Sequence, residues 1–121
     1  MNRDQLDLPD LLARAQRVDF PWEAFRPGVE IHRLWGEPGG TGEAAALLRY
    51  AAGGTVPAHR HGAMEEIYVL SGSQRDARGV YPAGSHVFNP PGSSHAVHSP
   101  DGCIALVIWQ EPNTWIDAAD R

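Results

Sequence analysis

The stretch AHRHGAMEEIYVLSG, residues 58–72, places two histidines and two glutamates at the head of an apolar run. Imidazole nitrogens and carboxylate oxygens are the groups with which proteins bind divalent transition metals. His59 and His61 are two residues apart, so on a β-strand their side chains project from the same face. The stretch therefore predicts a metal site at which both imidazoles reach a single ion.

The two glutamates that follow differ in the strand face they would occupy. If the strand continues, Glu65 keeps the parity of the two histidines, whereas Glu66 has the opposite parity. We therefore predict Glu65 as a ligand, although a turn at Gly62-Ala63-Met64 would weaken the parity argument. Glu65 is also the candidate catalytic residue, either as a ligand or as a nearby base that accepts a substrate proton.

A second histidine cluster, NPPGSSHAVHS, lies further along the chain and supplies His95 as another candidate ligand. Its prolines and glycine predict a rigid turn before a new strand, which would hold the His95 ring in place. A lone His-x-His pair is more often a polar strand end with exposed histidines. Here the carboxylate in register and the second cluster favour a metal site. The predicted metal ligands are therefore His59, His61, Glu65 and His95.

The remaining histidines and two arginines have less distinctive positions. His98 has the opposite strand parity to the predicted ligand His95 and is expected at a polar rim. His86 is expected at a pocket wall or on the surface, and His32 within a sheet. Arg49 and Arg60 flank predicted strands, where each either steers an anionic substrate or is a solvated surface residue.

Composition narrows the classes of protein to which the chain belongs. Its 121 residues suffice for one domain with a single core, and the formal net charge of -5 argues against nucleic acid as a partner. The opening MNRDQLDLPD is unlike a signal peptide, and the apolar run CIALVIW is too short to cross a bilayer. The single cysteine, Cys103, excludes an internal disulfide and is expected to be a buried, inert thiol. We expect a cytoplasmic protein with a small-molecule ligand or substrate and no membrane partner.

Short apolar runs broken by glycine and proline dominate the chain from Val29 onward. Because such runs lack helical periodicity, they predict an all-β antiparallel sandwich or barrel. Leucines and alanines in residues 8–18 predict a short helix or an arm that packs on this body. The expected organisation is an N-terminal arm or short helix in residues 1–28, a barrel in residues 29–111 and a polar tail in residues 112–121.

Two spaced motifs make the chain resemble the cupins, a family of small jelly-roll barrels with a metal in the mouth. The first cupin motif is matched at every spacing by Gly53, His59, His61, Glu65 and Gly72. The second is matched by Gly84, Pro90, Gly92 and His95, with Ser99 in place of the final asparagine. That last position is not a metal ligand in the family. The resemblance implies a double-stranded β-helix and the same four metal ligands.

The segments FRPGVEIHRLWGEP, AALLRYAAGG and YPAGSHVFNPPGSSHA resemble one branch of this family, the ChrR-like cupins. That branch includes the metal-binding C-terminal domain of an anti-sigma factor. It also includes stand-alone proteins similar to acetylacetone-cleaving and dihydroxyacetophenone-cleaving dioxygenases. Stand-alone cupins are usually homodimers through sheet-to-sheet contact, so the resemblance also implies a homodimer.

Two functions remain open on this resemblance. The first is a small non-haem Fe²⁺ dioxygenase that cleaves a carbon–carbon bond in a small diketone or hydroxyketone. The second is a non-catalytic Zn²⁺ module that senses or binds a small molecule in a regulatory role. The ligand set suits Fe²⁺ and Zn²⁺ best, and Mn²⁺, Ni²⁺ and Co²⁺ are also compatible with it.

Overall fold

The computed structural model describes residues 7–38, 42–111 and 113–115. One short helix, α1 (Leu11–Ala15), precedes the strands. The strands are β1 (Glu23–Arg26), β2 (Val29–Trp35), β3 (Ala44–Tyr50), β4 (Gly54–His61), β5 (Glu65–Asp76), β6 (Gly79–Pro82), β7 (His86–Asn89), β8 (Ser94–Ser99), β9 (Cys103–Trp109) and β10 (Asn113–Trp115). The all-β class, with an N-terminal arm and short helix, is confirmed.

Antiparallel pairing joins the strands into two curved sheets that share β5. The first sheet runs β1-β2-β3-β9-β5, with β7 on the other side of the first half of β5. In the second sheet β4 lies between β8 and β10, and the last residues of β5 pair with β6 and contact β8. The antiparallel barrel expected from the sequence is therefore present.

Strand β5 changes partners at Gly72, where it passes from one sheet to the other. Gly72 pairs with Cys103 of β9, whereas Ser73 pairs with Pro82 of β6. The backbone of Gly72 has φ 72°, a conformation that side chains with a Cβ rarely adopt. A Cβ at this position would also overlap the carbonyl oxygen of Gly102. Glycine is thus required where the barrel bends.

The apolar interior explains why β3 and β9 do not alternate between apolar and polar residues. On β3, Ala46 and Leu48 face the barrel interior, while Leu47 faces outward and is nevertheless fully buried. The outward residues Leu47 and Ile104 are covered by the N-terminal arm, including Ala15. Because both faces of these strands are covered, their sequences are continuous apolar runs.

The N-terminal arm lies on the outer face of the first sheet. Trp22 donates a hydrogen bond through Nε1 to the carbonyl of Ala15 at 3.3 Å, which ties the extended segment to the helix. The guanidinium of Arg49 lies 4.8 Å from the centre of the Trp22 ring and also pairs with Glu30. None of the helices in the described part of the chain has the length and apolar character needed to span a membrane.

Both end regions contribute a strand to the sheets. Strand β1 pairs with β2, and β10 pairs with the part of β4 that runs from His59 to His61. Residues 112 and 116–121 of the expected tail lie outside the described residues. The division of the chain at residues 28 and 111 stays a prediction.

Candidate metal centre

Four side chains from three strands converge inside the barrel. His59 and His61 come from β4, Glu65 from the start of β5 and His95 from β8. One ligand atom from each lies within 4.8 Å of those of the others. Around an octahedral ion with bonds of about 2.1 Å, adjacent ligand atoms lie about 3.0 Å apart and opposite ones about 4.2 Å apart. The cluster is therefore close to the size of a metal site, and its widest separation needs a small contraction to fit around an ion.

Strand register accounts for each member of the cluster. His59 lies directly opposite His95 in the β4–β8 pair. Glu65 reaches the cluster for a different reason than the one expected. The continuous strand assumed in the parity argument is absent, because β4 ends at His61 and β5 begins at Glu65 in the other sheet. A turn separates the two strands, as in the alternative that would weaken the parity argument. The side chain of Glu65 nevertheless faces the barrel interior.

Each histidine of the cluster is oriented through its Nδ1 atom. Nδ1 of His59 lies 2.8 Å from the carbonyl of Pro57, and Nδ1 of His95 lies 3.2 Å from the carboxylate of Asp76. Nδ1 of His61 lies 3.1 Å from the carbonyl of Ser93. Carbonyl and carboxylate oxygens only accept hydrogen bonds, so each Nδ1 donates one. The neutral ring then presents the lone pair of Nε2, which is the atom a metal binds.

The Nε2 atoms face a carboxylate that cannot donate to them. Nε2 of His61 lies 3.0 Å from Oε1 of Glu65, and Nε2 of His95 lies 3.6 Å from the same oxygen. Both Nε2 atoms are buried and make no hydrogen bond of acceptable geometry with the residues that the structure describes. Lone pairs and a carboxylate at such distances repel one another in a buried site. A cation at their common centre satisfies them together, so the residues present fit a divalent metal.

Glu65 is held as an anion by the residues paired with it on both sides. Asn89 lies opposite Glu65 on β7, and Trp109 lies opposite it on β9. Asn89 donates to Oε1 at 3.0 Å, and the indole of Trp109 donates to Oε2 at 2.6 Å. Burial raises the pKa of Glu65, but hydrogen bonds from His61 and His95, in the form in which these rings carry a proton on Nε2, outweigh burial and lower the pKa.

Further contacts link the two residues that hold Glu65 and His95 in place, which are Asn89 and Asp76. Asp76 accepts from the hydroxyl of Tyr81 at 2.8 Å and from the backbone N–H of Arg78 at 2.8 Å. Although burial raises the pKa of Asp76, these hydrogen bonds outweigh it and lower the pKa. The guanidinium of Arg78 donates to Asn89 at 2.7 Å and to Asp76 at 3.3 Å. Arg78 therefore bridges the two residues that orient Glu65 and His95.

Burial also determines the protonation of His59 in the metal-free protein. Removal from water lowers the pKa of His59 to about 4, and the hydrogen bond to Pro57 only partly offsets this effect. The imidazole is consequently neutral at pH 7. A neutral ring is the form that binds a metal.

A cavity of about 170 Å³ opens beside the cluster. His59, Glu65 and His95 form part of its wall. The rest of the wall is mostly apolar and comprises Phe25, Arg26, Pro38, Leu48, Tyr50, Val56, Ile67, Gln74, Val97, Val107 and Trp109. An apolar cavity with a few converging polar groups is typical of a small-molecule site. The arrangement thus combines a candidate metal centre with room for a ligand.

The sequence profile of the ChrR Cupin-like domain family matches residues 12–112. The chain belongs to this family. A search of curated protein sequences found no match.

Solved structures of other cupins superpose on the barrel. An acetylacetone dioxygenase from Acinetobacter johnsonii is 19% identical with a TM-score of 0.76, and the match covers 88% of this chain and 78% of that one. The Rhodobacter sphaeroides complex of SigE with the anti-sigma ChrR matches at 29% identity and a TM-score of 0.66, over 77% of this chain and 50% of the other. A cupin-like protein of unknown function from Ralstonia eutropha is 21% identical with a TM-score of 0.67, over 76% of this chain. This cupin spans only 60% of the Ralstonia chain.

The other histidines of this cupin lie outside the cluster. His86 is on the surface, where it lies 2.9 Å from the carboxylate of Glu66. His32 is in β2, with its Nδ1 3.2 Å from the carbonyl of Pro21. His98 projects from the opposite face of β8 to His95 and is half-buried. The surface position of His86, the sheet position of His32 and the opposite strand face of His98 agree with the expectations for these residues.

Sequence reasoning missed Asn89 and Asp76, which support the cluster, and Arg26, which lines the cavity. Arg49 and Arg60, which were considered for substrate steering, are not among the described residues of the cavity wall, whereas Arg26 is. Asn89 could have been found as the polar residue directly before the Pro90 turn. Asp76 has no comparable signal, because its role depends on how β5 passes between the sheets.

Proposed function

We propose that this cupin binds one divalent transition metal through His59, His61, His95 and Glu65. We further propose that it is a dioxygenase-like enzyme acting on a small diketone or hydroxyketone. The observation that carries the proposal is the convergence of buried Nε2 lone pairs and a carboxylate beside an apolar cavity. Iron in the ferrous state is the proposed metal, since oxygenase chemistry needs a redox-active ion.

The residues of the site would have separate tasks. The bound ion would supply Lewis-acid stabilisation of an enolate and the redox chemistry needed for reaction with dioxygen. Glu65 would contribute negative charge from a fixed position, because Asn89 and Trp109 each hold one of its oxygens. The hydrogen bonds from Asn89 and Trp109 favour a role for Glu65 as a metal ligand over a role as a general base.

Cavity size limits the substrate. A dry cavity of about 150 Å³ in another protein accommodates benzene, and the cavity here measures about 170 Å³. A diketone or hydroxyketone of comparable size would fit with its oxygens towards the cluster. The walls from Val56, Ile67 and Val107 would surround its carbon chain and exclude water. The structural similarity to acetylacetone dioxygenase is support at the level of fold.

Metal content and oxygen uptake test the proposal. Protein purified without oxygen is expected to contain iron at about one ion per chain and to consume oxygen when supplied with a member of a diketone and hydroxyketone panel. The variant His59→Ala should lose the metal, because one of few ligands is removed. The matched control His86→Ala removes a surface imidazole and should keep full metal content. Retention of the metal in His59→Ala would contradict the ligand assignment.

A non-catalytic zinc module is the second candidate function. The similarity to the SigE–ChrR complex, at 29% identity, favours it. Such a module would hold zinc tightly and bind a small molecule in the same cavity without consuming oxygen. Zinc in the isolated protein, together with no oxygen uptake across the panel after iron loading, would replace the oxygenase proposal with this one.

We also propose that the protein is a homodimer. The side chains of Tyr68 and Phe88 are large, apolar and 37% and 47% exposed. They lie on neighbouring strands, on the face of the first sheet that points away from the interior. An exposed apolar pair on a sheet face supports a sheet-to-sheet contact with a second copy.

A further inference from the structure

Tyr50 places a phenol hydroxyl on the wall of the cavity. The ring lies on the interior face of β3 with Leu48, and only 3% of the residue is exposed. The hydroxyl makes no hydrogen bond to the residues that the structure describes. Its oxygen is nevertheless not fully enclosed, in contrast to Nε2 of His61 and of His95. Because Tyr50 is otherwise buried, the open side of the hydroxyl faces the cavity that the residue lines.

The hydroxyls of the other two tyrosines have acceptors within the protein. Tyr68 donates to the carboxylate of Glu66 at 3.4 Å. Tyr81 donates to the carboxylate of Asp76 at 2.8 Å. The fold thus pairs the hydroxyl of each of these tyrosines and leaves the hydroxyl of Tyr50 open to the cavity.

The phenol of Tyr50 is a hydrogen-bond donor at neutral pH. Burial raises the pKa of Tyr50 well above the usual range, and the ionisable groups of Cys103 and Glu65 raise it further. The hydroxyl therefore keeps its proton. Buried hydroxyls in folded proteins are almost always hydrogen-bonded, and a buried tyrosine usually finds a partner for its hydroxyl. A ligand that enters the cavity can supply the acceptor that the described residues do not.

Tyr50 and Glu65 reach the cavity from opposite ends of β9. Glu65 pairs with Trp109, the last residue of β9, whereas Tyr50 pairs with Cys103, the first. The carboxylate of Glu65 belongs to the candidate metal centre and is held by Asn89 and Trp109. The hydroxyl of Tyr50 is therefore placed for a part of the ligand that lies away from its chelating oxygens.

We propose that Tyr50 is a specificity-determining residue whose hydroxyl donates a hydrogen bond to a ligand oxygen outside the chelating pair. The ligand class is a small diketone or hydroxyketone that carries a further acceptor, such as an ether or ketone oxygen. This inference rests on the proposed function, because the chelating oxygens occupy the candidate metal centre. It adds a requirement that a simple alkyl diketone does not meet.

Two pairs of isosteric probes test this requirement at two positions of the ligand chain. In each pair an ether oxygen replaces a methylene group: 5-methoxypentane-2,4-dione is matched with heptane-2,4-dione, and 6-methoxyhexane-2,4-dione with octane-2,4-dione. All four are titrated calorimetrically into the full chain loaded with Zn²⁺, which has no redox chemistry. The wild-type protein should bind at least one ether about fivefold more tightly than its alkyl counterpart, the gain expected from one hydrogen bond. Equal affinities within both pairs, or failure to bind any probe, would overturn the inference.

The variant Tyr50→Phe isolates the contribution of the hydroxyl, because phenylalanine keeps the ring and lacks the donor. The preference for the ether should fall to about one, through weaker binding of the ether and unchanged binding of the alkyl diketone. The matched control Tyr68→Phe removes a hydroxyl from the outer face of the first sheet and should keep the wild-type preference. A preference that survives in Tyr50→Phe would show that the hydroxyl does not contact the ligand.

Stability provides a readout that depends on neither the metal nor the ligand. In the metal-free protein, Tyr50→Phe should melt at the wild-type temperature or above it, since no hydrogen bond within the protein is lost. Tyr81→Phe should melt at a lower temperature, because its hydroxyl donates to Asp76. A decrease in Tyr50→Phe like that in Tyr81→Phe would reveal an acceptor within the protein and would overturn the inference. Failure of the iron-loaded protein to consume oxygen, with the probe preference intact, would overturn only the proposed reaction.

Discussion

A single exposed arginine connects the supports of two candidate ligands. Arg78 lies in the turn between β5 and β6, and its guanidinium reaches both Asn89 and Asp76. Asn89 holds Glu65, and Asp76 holds the ring of His95. The planar, forked guanidinium suits this bridging role, which a lysine ammonium would fill less well. The orientation of the candidate ligands therefore depends on a residue that does not touch the metal.

Replacement of Arg78 by alanine should weaken metal binding without removing a ligand. Loss of a residue that orients metal ligands typically lowers affinity by about 10- to 100-fold, and the exposure of Arg78 places the effect near the lower end. The measurement is a competition titration of Zn²⁺ against a chromophoric chelator. The matched control is Arg75→Ala, which removes an exposed arginine from the adjoining strand β5. Equal affinities of the two variants would contradict a positioning role for Arg78.

At the scale of elements, the site depends on the bend in β5. The first residue of this strand, Glu65, belongs to the first sheet, and its last residue, Asp76, belongs to the second. One strand thus carries both a candidate ligand and the support of another. The change of partners occurs at Gly72, whose φ of 72° and close approach to Gly102 exclude a side chain.

The variant Gly72→Ala should destabilise the barrel strongly. Alanine is strained at positive φ by roughly 1–2 kcal/mol, and overlap with the backbone of Gly102 adds to this cost. We expect a loss of at least about 2 kcal/mol in the free energy of unfolding, measured by urea denaturation. In the control Gly79→Ala, the added Cβ has no atom within 4 Å. A Gly72→Ala variant as stable as this control would show that the bend does not need glycine.

The limits of sequence prediction are visible in the same elements. Spacing and residue type were enough to predict that His59, His61 and His95 meet. Strand β4 carries His59 and His61 two residues apart, and His59 pairs directly with His95 of β8. Glu65 was predicted both from a continuous strand, which the structure lacks, and from the spacing of the first cupin motif. Asn89 and Asp76 could not be predicted, since their contacts depend on the long-range register of β5 with β7 and on the bend of β5. The apolar pattern of a strand indicates which side chains face inward, but not where the strand bends or which distant strand it pairs with.

At the scale of the whole molecule, one part of the outer face of the first sheet is covered by the N-terminal arm and another part is exposed. The N-terminal arm covers Leu47 and Ile104 on β3 and β9. Tyr68 and Phe88, on β5 and β7, remain exposed. Glu66 and His86 share this part of the face with the two aromatic side chains and lie 2.9 Å apart. The exposed part of the face thus restricts the surface through which a second copy could pack.

The proposed dimer should form through this exposed patch. Light scattering at working concentration should give the mass of two chains for the wild-type protein. The variant Phe88→Glu should have the mass of one chain, because a buried unpaired carboxylate disfavours the contact. The control is Val80→Glu, which alters a 60% exposed residue on β6, away from the proposed contact. A monomeric wild-type protein, or a dimeric Phe88→Glu variant, would contradict the proposal.

The candidate metal centre also joins the two sheets of the barrel. His59 and His61 on β4 and His95 on β8 belong to the second sheet, whereas Glu65 pairs within the first. Without a cation, the buried Nε2 of His61 and the carboxylate of Glu65 face each other at 3.0 Å. A metal at their centre therefore replaces repulsion between the sheets with a shared set of bonds. Metal binding should consequently stabilise the whole fold and not only its own site.

The melting temperature should rise with the concentration of free Zn²⁺ and should fall when the metal is removed. A ligand that binds only the folded state adds about 2.7 kcal/mol at 100 times its dissociation constant, which corresponds to roughly 10 °C for a domain of this size. Differential scanning calorimetry with increasing Zn²⁺, and then with excess chelator, measures the effect. His61→Ala should melt at the same temperature with and without Zn²⁺, while the surface control His86→Ala should respond as the wild-type protein does. A site that has lost one of its four candidate ligands cannot bind the metal with the same affinity. A metal-dependent shift in melting temperature that persists in His61→Ala would therefore place the stabilising ion elsewhere in the protein.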